Sequence, residues 1–260
     1  MSATQVQALR DCPYRFFARS VLRLSEDDEL DVALAKRDFG TWLHAVLHHF
    51  HSQRDFAAPP LTQLQAAADF VMHEQGLDAG ELLPFRASFE HVAPAYLQWL
   101  ARREAQGWFW SDGESDYRST PPELHGLTLR GRIDRLDHGP DGRRQLIDYK
   151  TGAATALRQK AKQPLDDVQL TFYGALLQAD ADFAAAYLAL DGADAPLEIP
   201  QADVQAAAEE LLQGLGDEWQ RLQEGAALPA LGESPTCDHC EARGLCRRDH
   251  WPAAGPEEQP

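Results

Sequence analysis

The sequence predicts an α/β domain built on a small mixed sheet, and three observations carry that expectation. Phe39, Trp42, Leu43, Val46, Leu47 and Phe50 recur at helical spacing. From Leu127 the period changes to two: Leu127, Leu129, Gly131 and Ile133 alternate with Thr128, Arg130, Arg132 and Asp134, the pattern of a half-buried strand. The order helices, hairpin, helix, strand, helix then calls for helices packed on a sheet.

Taken in order, Ser2 and Gln5 have capping-box spacing and open a short helix that breaks near Pro13. The helical run 39–50 is followed by two more, 61–76 and 86–106, rich in Ala, Leu and aromatics. His138-Gly-Pro-Asp-Gly142 is a turn signal between the strand 127–134 and a second strand 145–151, which together predict a hairpin with Asp134 on its polar face. A helix over 166–179 starts on Asp166 and Asp167, acids that suit a helix N-terminus. A strand over 184–190 and a long helix over 202–224 complete the core, and a Gly/Pro-punctuated tail from Gly225 carries three of the four cysteines. There is no internal repeat.

The formal charge of -17 argues at first against a polyanionic partner. Its distribution changes that. Arg130, Arg132, Arg135, Arg143, Arg144, Lys150, Arg158, Lys160 and Lys162 face only four acids in the same stretch, while much of the excess acid lies in Glu26–Asp31 and the C-terminal third. Arg15, Arg19 and Arg23 add a stripe with i,i+4 spacing. Two basic segments of this kind point to a local phosphate-binding groove. No run of eighteen apolar residues occurs, so no membrane partner is expected. Met1 to Phe17 lacks the apolar centre of a signal peptide, and the expected compartment is the cytoplasm. Cysteines there favour metal or redox chemistry over disulfides.

Asp148 and Lys150 are two apart on a strand, so their side chains share a face. If the hairpin brings Asp134 to that face, two carboxylates and an ammonium converge. That is a hard-oxygen site for Mg²⁺ or Mn²⁺, with a lysine to orient or deprotonate a water and offset charge on a phosphate. Alone, Asp-x-Lys reads more readily as a surface salt bridge than as a catalytic pair. His44, on the helix flank it shares with His48 and His51, can complete a carboxylate metal shell or be solvated. Gln169 and Tyr173 share a helix face, as a core edge or as a hold on a nucleic-acid strand. Cys237, Cys240 and Cys246 cluster, with Cys12 far upstream. This one-plus-three split fits a [4Fe–4S] cluster better than structural zinc, which usually pairs two short knuckles. Zinc comes second, with His239 inside the knuckle as a substitute ligand.

The ordered set Cys12-Pro-Tyr-Arg-Phe-Phe, Gly40-x-x-x-His44, Gly131-Arg-Ile-Asp134, Asp148-Tyr-Lys150-Thr-Gly152, Gln169-x-x-x-Tyr173 and Cys237-x-x-Cys240-x5-Cys246 resembles the RecB-like branch of the PD-(D/E)xK nucleases. Within it the set is most like the AddB C-terminal nuclease domain and CRISPR-associated exonuclease relatives, which carry an iron–sulfur clip. The resemblance implies a restriction-endonuclease-like core. It implies one nuclease domain over 1–250 with a helical insertion at about 55–106, a clip from 12 and 237–246, and a disordered tail over 251–260. It implies His44, Asp134, Asp148 and the Tyr149 carbonyl as metal ligands, Lys150 as catalytic lysine, and Gln169 and Tyr173 as active-site support. Glu114 corresponds to the acid these families carry before the hairpin, within an acidic stretch that leaves its register open. The implied activity is metal-dependent DNA cleavage, as an exonuclease on single strands or ends in repair or recombination, beside a helicase subunit or domain. The chain itself has no Gly-x4-Gly-Lys-Ser/Thr loop. A DNA-binding or assembly module with little turnover is the alternative, and the net acidity is what favours it.

Overall fold

The computed structural model describes residues 1–24, 36–77, 83–180, 182–190, 195–231, 235–238, 240–247 and 250–251. The acidic run Glu26–Asp31, His239 and the tail 252–260 lie outside them. Ser2 caps α1 (Ala3–Asp11) as expected: its Oγ accepts the Gln5 N–H at 3.3 Å while Gln5 Oε1 accepts the Ser2 N–H at 2.9 Å. Pro13 then starts α2 (Pro13–Phe16), which passes into a π-turn at Phe17–Val21. Three longer helices follow, α3 (Lys36–Ser52), α4 (Pro60–Glu74) and α5 (Leu83–Ala105). The strands are β1 (Phe109–Asp112), β2 (Ser115–Ser119), β3 (Leu129–Ile133), β4 (Arg135–His138) and β5 (Arg144–Lys150). After α6 (Ala154–Lys162) and α7 (Gln169–Leu176) come β6 (Phe183–Ala189), β7 (Leu197–Gln201), α8 (Val204–Gln223) and α9 (Arg243–Cys246).

The main sheet runs β1-β4-β5-β6-β7, with β5 and β6 parallel and every other neighbour antiparallel. This is the mixed α/β sheet that the patterning predicts. Strand β5 lies at its centre and alternates between two cores. Leu146 faces one core with α1, α7 and α8, while Ile147 and Tyr149 face the other with α3, α4 and α5. A central strand buried on both faces has no polar side. That corrects the expectation that Asp148 sits on a polar strand face: it is 1 % exposed.

The expected hairpin also differs from what forms. The run 127–134 is not one strand. It breaks at Asp134, so that β3 pairs with β2 in a separate two-stranded sheet while only β4 pairs with β5. Asp134 therefore stands at the junction of the two sheets. The helix expected over 166–179 is shorter, because Thr171 Oγ1 donates to Pro164 O at 2.7 Å and the segment before Gln169 is a turn. Helix α6 and strands β1, β2 and β7 arise where the patterning predicts no element. None of the helices crosses a membrane by length and apolarity among the described residues.

Candidate active site

The break at Asp134 is what builds the site. Pairing between β4 and β5 ends at Arg135 opposite Ile147, so the next donor on β5, the Tyr149 N–H, has lost its ladder partner on that side. The Asp134 carboxylate supplies the acceptor instead, with Oδ2 taking that N–H at 2.8 Å. The other half of the same residue, the Tyr149 carbonyl, meets His44 Nε2 at 3.1 Å. One residue's backbone thus holds an acid from the sheet junction and an imidazole from α3. The imidazole Nδ1 then lies 3.4 Å from Glu114 Oε1 and 3.5 Å from Asp134 Oδ1. His44 Nδ1 and oxygens of Glu114 and Asp134 are the described atoms that approach one another as a metal-ligand set would.

Glu114 comes from the β1–β2 turn and has a positive φ of 49°, a left-handed conformation that non-glycine residues rarely adopt. Asp112 holds the turn in place by accepting from the Gly113 N–H at 2.8 Å, the Ser115 hydroxyl at 2.6 Å and the Tyr117 hydroxyl. The turn presses against the sheet junction: a Cβ on Gly113 would meet the Asp134 carbonyl oxygen at 2.8 Å. Glu114 Oε2 receives Arg132 Nε at 2.8 Å, while Glu114 Oε1 is buried and accepts no hydrogen bond.

Asp148 and Lys150 do share a face, as their spacing requires, and form an ion pair. Asp148 Oδ1 accepts Gln169 Nε2 at 2.7 Å from the first turn of α7. Burial and then the Asp134 charge push the Asp148 carboxyl above its usual range, against the pull of Lys150. Burial opposes the charge on Lys150 too, but Asp148 and Asp134 outweigh it and hold the ammonium charged. At His44 burial is likewise overcome, here by the neighbouring Asp134 and Glu114 carboxylates, and its pKa rises to about 10. A cluster that raises its own carboxyl and imidazole pKa values is short of positive charge. Together with the orphaned Glu114 oxygen, that fits a divalent cation bound among hard oxygens and one imidazole nitrogen.

Tyr173 lies one turn along α7 from Gln169, close to the β3 backbone. A Cβ on Gly131 would meet its ring at 3.0 Å, so a glycine there lets the tyrosine in. The cluster opens into a groove of about 840 Å³ between α3 and α4 on one hand and the ends of β3 and β5 on the other, lined by His44, Glu114, Arg132 and Lys150 among others.

Folding pairs part of the expected basic patch within the chain. Arg135 is fully buried and donates to Asp137 at 2.7 Å, Arg144 pairs with Asp180, and Lys160 pairs with Asp167. Of the nine cations in that segment, Arg132 and Lys150 line the groove. The stripe Arg15, Arg19, Arg23 is also undone, since Arg15 and Arg19 both pair with Glu241 at 3.0 and 2.6 Å, while Arg23 lies past the π-turn with a φ of 57°. His51 leaves the flank of His44 for the interior, where burial and then Arg135 drive its pKa down and keep it neutral.

The sequence expectation did not anticipate the Asp112 clamp, and it left the register of Glu114 open. The clue lay in Asp112-Gly113-Glu114-Ser115, an acid and a serine flanking a glycine, which is turn chemistry.

All four cysteines are free thiols. Cys12 sits buried between α1 and α2, and the tail returns to it: Pro229 O accepts the Tyr14 N–H at 3.1 Å, and Glu241 takes Arg15 and Arg19. Burial chiefly raises the Cys240 thiol, and Cys12 is near enough to contribute. Four cysteines, three from the tail and one from the α1–α2 corner, fit a cluster or metal clip by donor type, although among the described residues their sulfurs do not approach one another as a ligand set.

A family model described as the PD-(D/E)XK nuclease superfamily matches residues 1–247. The crystal structure of the protein SSO0001 is 15 % identical with a TM-score of 0.40, covering 95 % of this chain and 84 % of that one. A structure from Eubacterium rectale described as a candidate exonuclease is 12 % identical with a TM-score of 0.49, covering 98 % and 90 %. No curated protein matches. The family match takes in both sheets, every residue of the acidic cluster and all four cysteines, and on that extent the chain belongs to the PD-(D/E)XK nuclease superfamily.

Proposed function

We propose that the chain is a divalent-metal-dependent deoxyribonuclease, an exonuclease acting on single-stranded DNA or DNA ends in repair or recombination, beside a helicase subunit or domain. The observation that supports this best is the convergence of His44, Glu114 and Asp134 on an open groove beside the Asp148–Lys150 pair. Asp134, Asp148, Glu114, His44 and the Tyr149 carbonyl would hold Mg²⁺ or Mn²⁺. When bound, such an ion supplies Lewis acidity toward phosphate oxygens and a more acidic water. Lys150, held cationic by its two carboxylate neighbours, offsets negative charge that builds on the phosphate during attack. That assignment favours charge stabilisation over proton abstraction for the lysine. Gln169 fixes the Asp148 carboxylate through Oδ1, and the Tyr173 hydroxyl lies beside Gln169. Cys12, Cys237, Cys240 and Cys246 would hold a [4Fe–4S] cluster that ties the tail to the α1–α2 corner, with zinc as the alternative occupant.

Digestion of end-labelled single-stranded DNA with Mn²⁺, run beside Lys150→Ala and Asp134→Ala, tests the reading. Parent activity that both substitutions abolish is expected. Activity retained in both removes the catalytic assignment, and no activity in the parent leaves the binding or assembly alternative. Iron and zinc content of anaerobically purified protein decides the clip.

A further inference from the structure

The acidic cluster occupies only one end of its groove. The same groove is walled farther along by His49 on α3 and Phe70 on α4. These two rings stack with centroids 4.1 Å apart and planes 16° from parallel. Phe70 nonetheless remains 48 % exposed, a large apolar side chain left in water on the wall of a polar cleft. Its neighbours along α4 behave otherwise: Ala67, Ala68 and Val71 are buried in the core. Packing therefore does not require a phenylalanine at position 70, which points outward where a small or charged residue would serve the helix as well. Across the groove, Arg132 is 62 % exposed in its side chain and, among the described residues, has Glu114 as its ionic partner.

From this arrangement we infer that the Phe70–His49 pair is a stacking wall for an unpaired nucleobase, and that it biases the site toward single-stranded nucleic acid. The inference rests on the nuclease reading and deepens it, by naming the side-chain contact that selects unpaired strands. A phosphodiester strand in this groove has two unlike surfaces to satisfy. Its phosphates suit Arg132, Lys150 and a bound cation, and its bases are flat apolar faces that seek an aromatic ring. In a duplex both faces of a base are covered by its neighbours, so only an unpaired, unstacked base can use Phe70. The stack with His49 holds the phenyl ring in one orientation before the strand arrives, which reduces the ordering cost of binding. The chain's net charge of -17 makes such a contact more valuable, because net acidity opposes drawing in a polyanion by charge alone.

The test compares binding of the folded parent, Phe70→Ala and Phe70→Trp to a fluorescent oligothymidylate, to an abasic strand of the same length and to a blunt duplex, with Mn²⁺-dependent cleavage assayed in parallel. Stacking lost at one base corresponds to about a tenfold weaker Kd for Phe70→Ala on oligothymidylate. Phe70→Trp keeps parent affinity, and the abasic strand and the duplex show no difference between parent and Phe70→Ala. Phe70→Ala that binds oligothymidylate like the parent, or that weakens equally on the abasic strand, overturns the inference while parent cleavage leaves the nuclease reading intact. A parent that neither binds nor cleaves any of these strands overturns both. Because Phe70 is half exposed, its replacement leaves the core intact, and circular dichroism of each variant confirms that the fold is present.

Discussion

Two charged clusters flank the centre of the sheet, and they are built on opposite principles. Asp134 belongs to one and its neighbour Arg135 to the other. Around Arg135 the charges are paired within the chain, although Arg135 Nη2 is buried without a hydrogen-bond partner. Asp137 accepts Arg135 Nε at 2.7 Å and Arg103 Nε at 2.9 Å, Arg103 reaches Gln145 and Glu198 at 2.9 Å each, and Arg135 Nη1 reaches Tyr96 and His51 at 2.9 Å. Around Asp134 three carboxylates crowd together, and Glu114 Oε1 and Asp148 Oδ2 are buried without a hydrogen bond. Lys150 pairs with the latter as an ion, and the groove is open beside them. Buried charges that serve the fold find partners within the chain. Those that serve chemistry are left short of a cation and facing solvent, a deficit that a metal ion can fill.

The largest effect that separates the clusters is catalytic. Lys150→Ala is expected to lower the rate of Mn²⁺-dependent DNA cleavage about a hundred- to thousandfold with the melting temperature close to the parent's. A variant that loses stability and keeps its rate would place Lys150 with the structural cluster. Next in size, Asp137→Ala leaves the buried Arg135 guanidinium without its carboxylate and takes one of two from Arg103, and is expected to cost about 3–5 kcal/mol of unfolding free energy. Asp148→Asn, by contrast, removes a carboxylate that burial already disfavours, and should leave urea midpoints equal to or above the parent's while cleavage is lost. Equal destabilisation by both substitutions would break the contrast. Smaller again, Mn²⁺ at about a hundred times its Kd should stabilise the parent by about 2.7 kcal/mol, and Asp134→Asn should remove most of that gain in thermal melts with and without EDTA. Smallest is Ser2→Ala, remote from both clusters, with about 1 kcal/mol of stability lost and the cleavage rate unchanged.

How far the sequence foretold these clusters follows from what periodicity can carry. Helix α3 was legible because its apolar residues fall at 3.6-residue spacing, and the cap at Ser2 because its signal is local. Strands β1 and β2 were not, since Ser111 to Asp116 is polar throughout and is held by the Asp112 hydrogen bonds instead of by an apolar face. Strand β7 hides behind Pro200, which an edge strand tolerates. Helix α6 buries only Leu157 and Ala161, too few for a period to show. At the site, Asp148 and Lys150 were legible from a spacing of two. The break at Asp134 was not, because the alternation runs through it unbroken and only the Tyr149 N–H reveals that the chain changes sheets there. Arg135 misled for a related reason: its charge reads as surface until Asp137, two residues on, folds back against it.

The backbone of Tyr149 has a consequence for how this site can be altered. Its N–H and its carbonyl each hold a different member of the acidic cluster, while its side chain lies buried beside Tyr96 in the opposite core. A survey that exchanges side chains one at a time would score position 149 as an ordinary aromatic packing site. Its part in the cluster is written in main-chain atoms that the genetic code cannot delete, with proline the single exception that removes the donor. Inheritance can therefore vary the ring at this position far more freely than the amide that carries it.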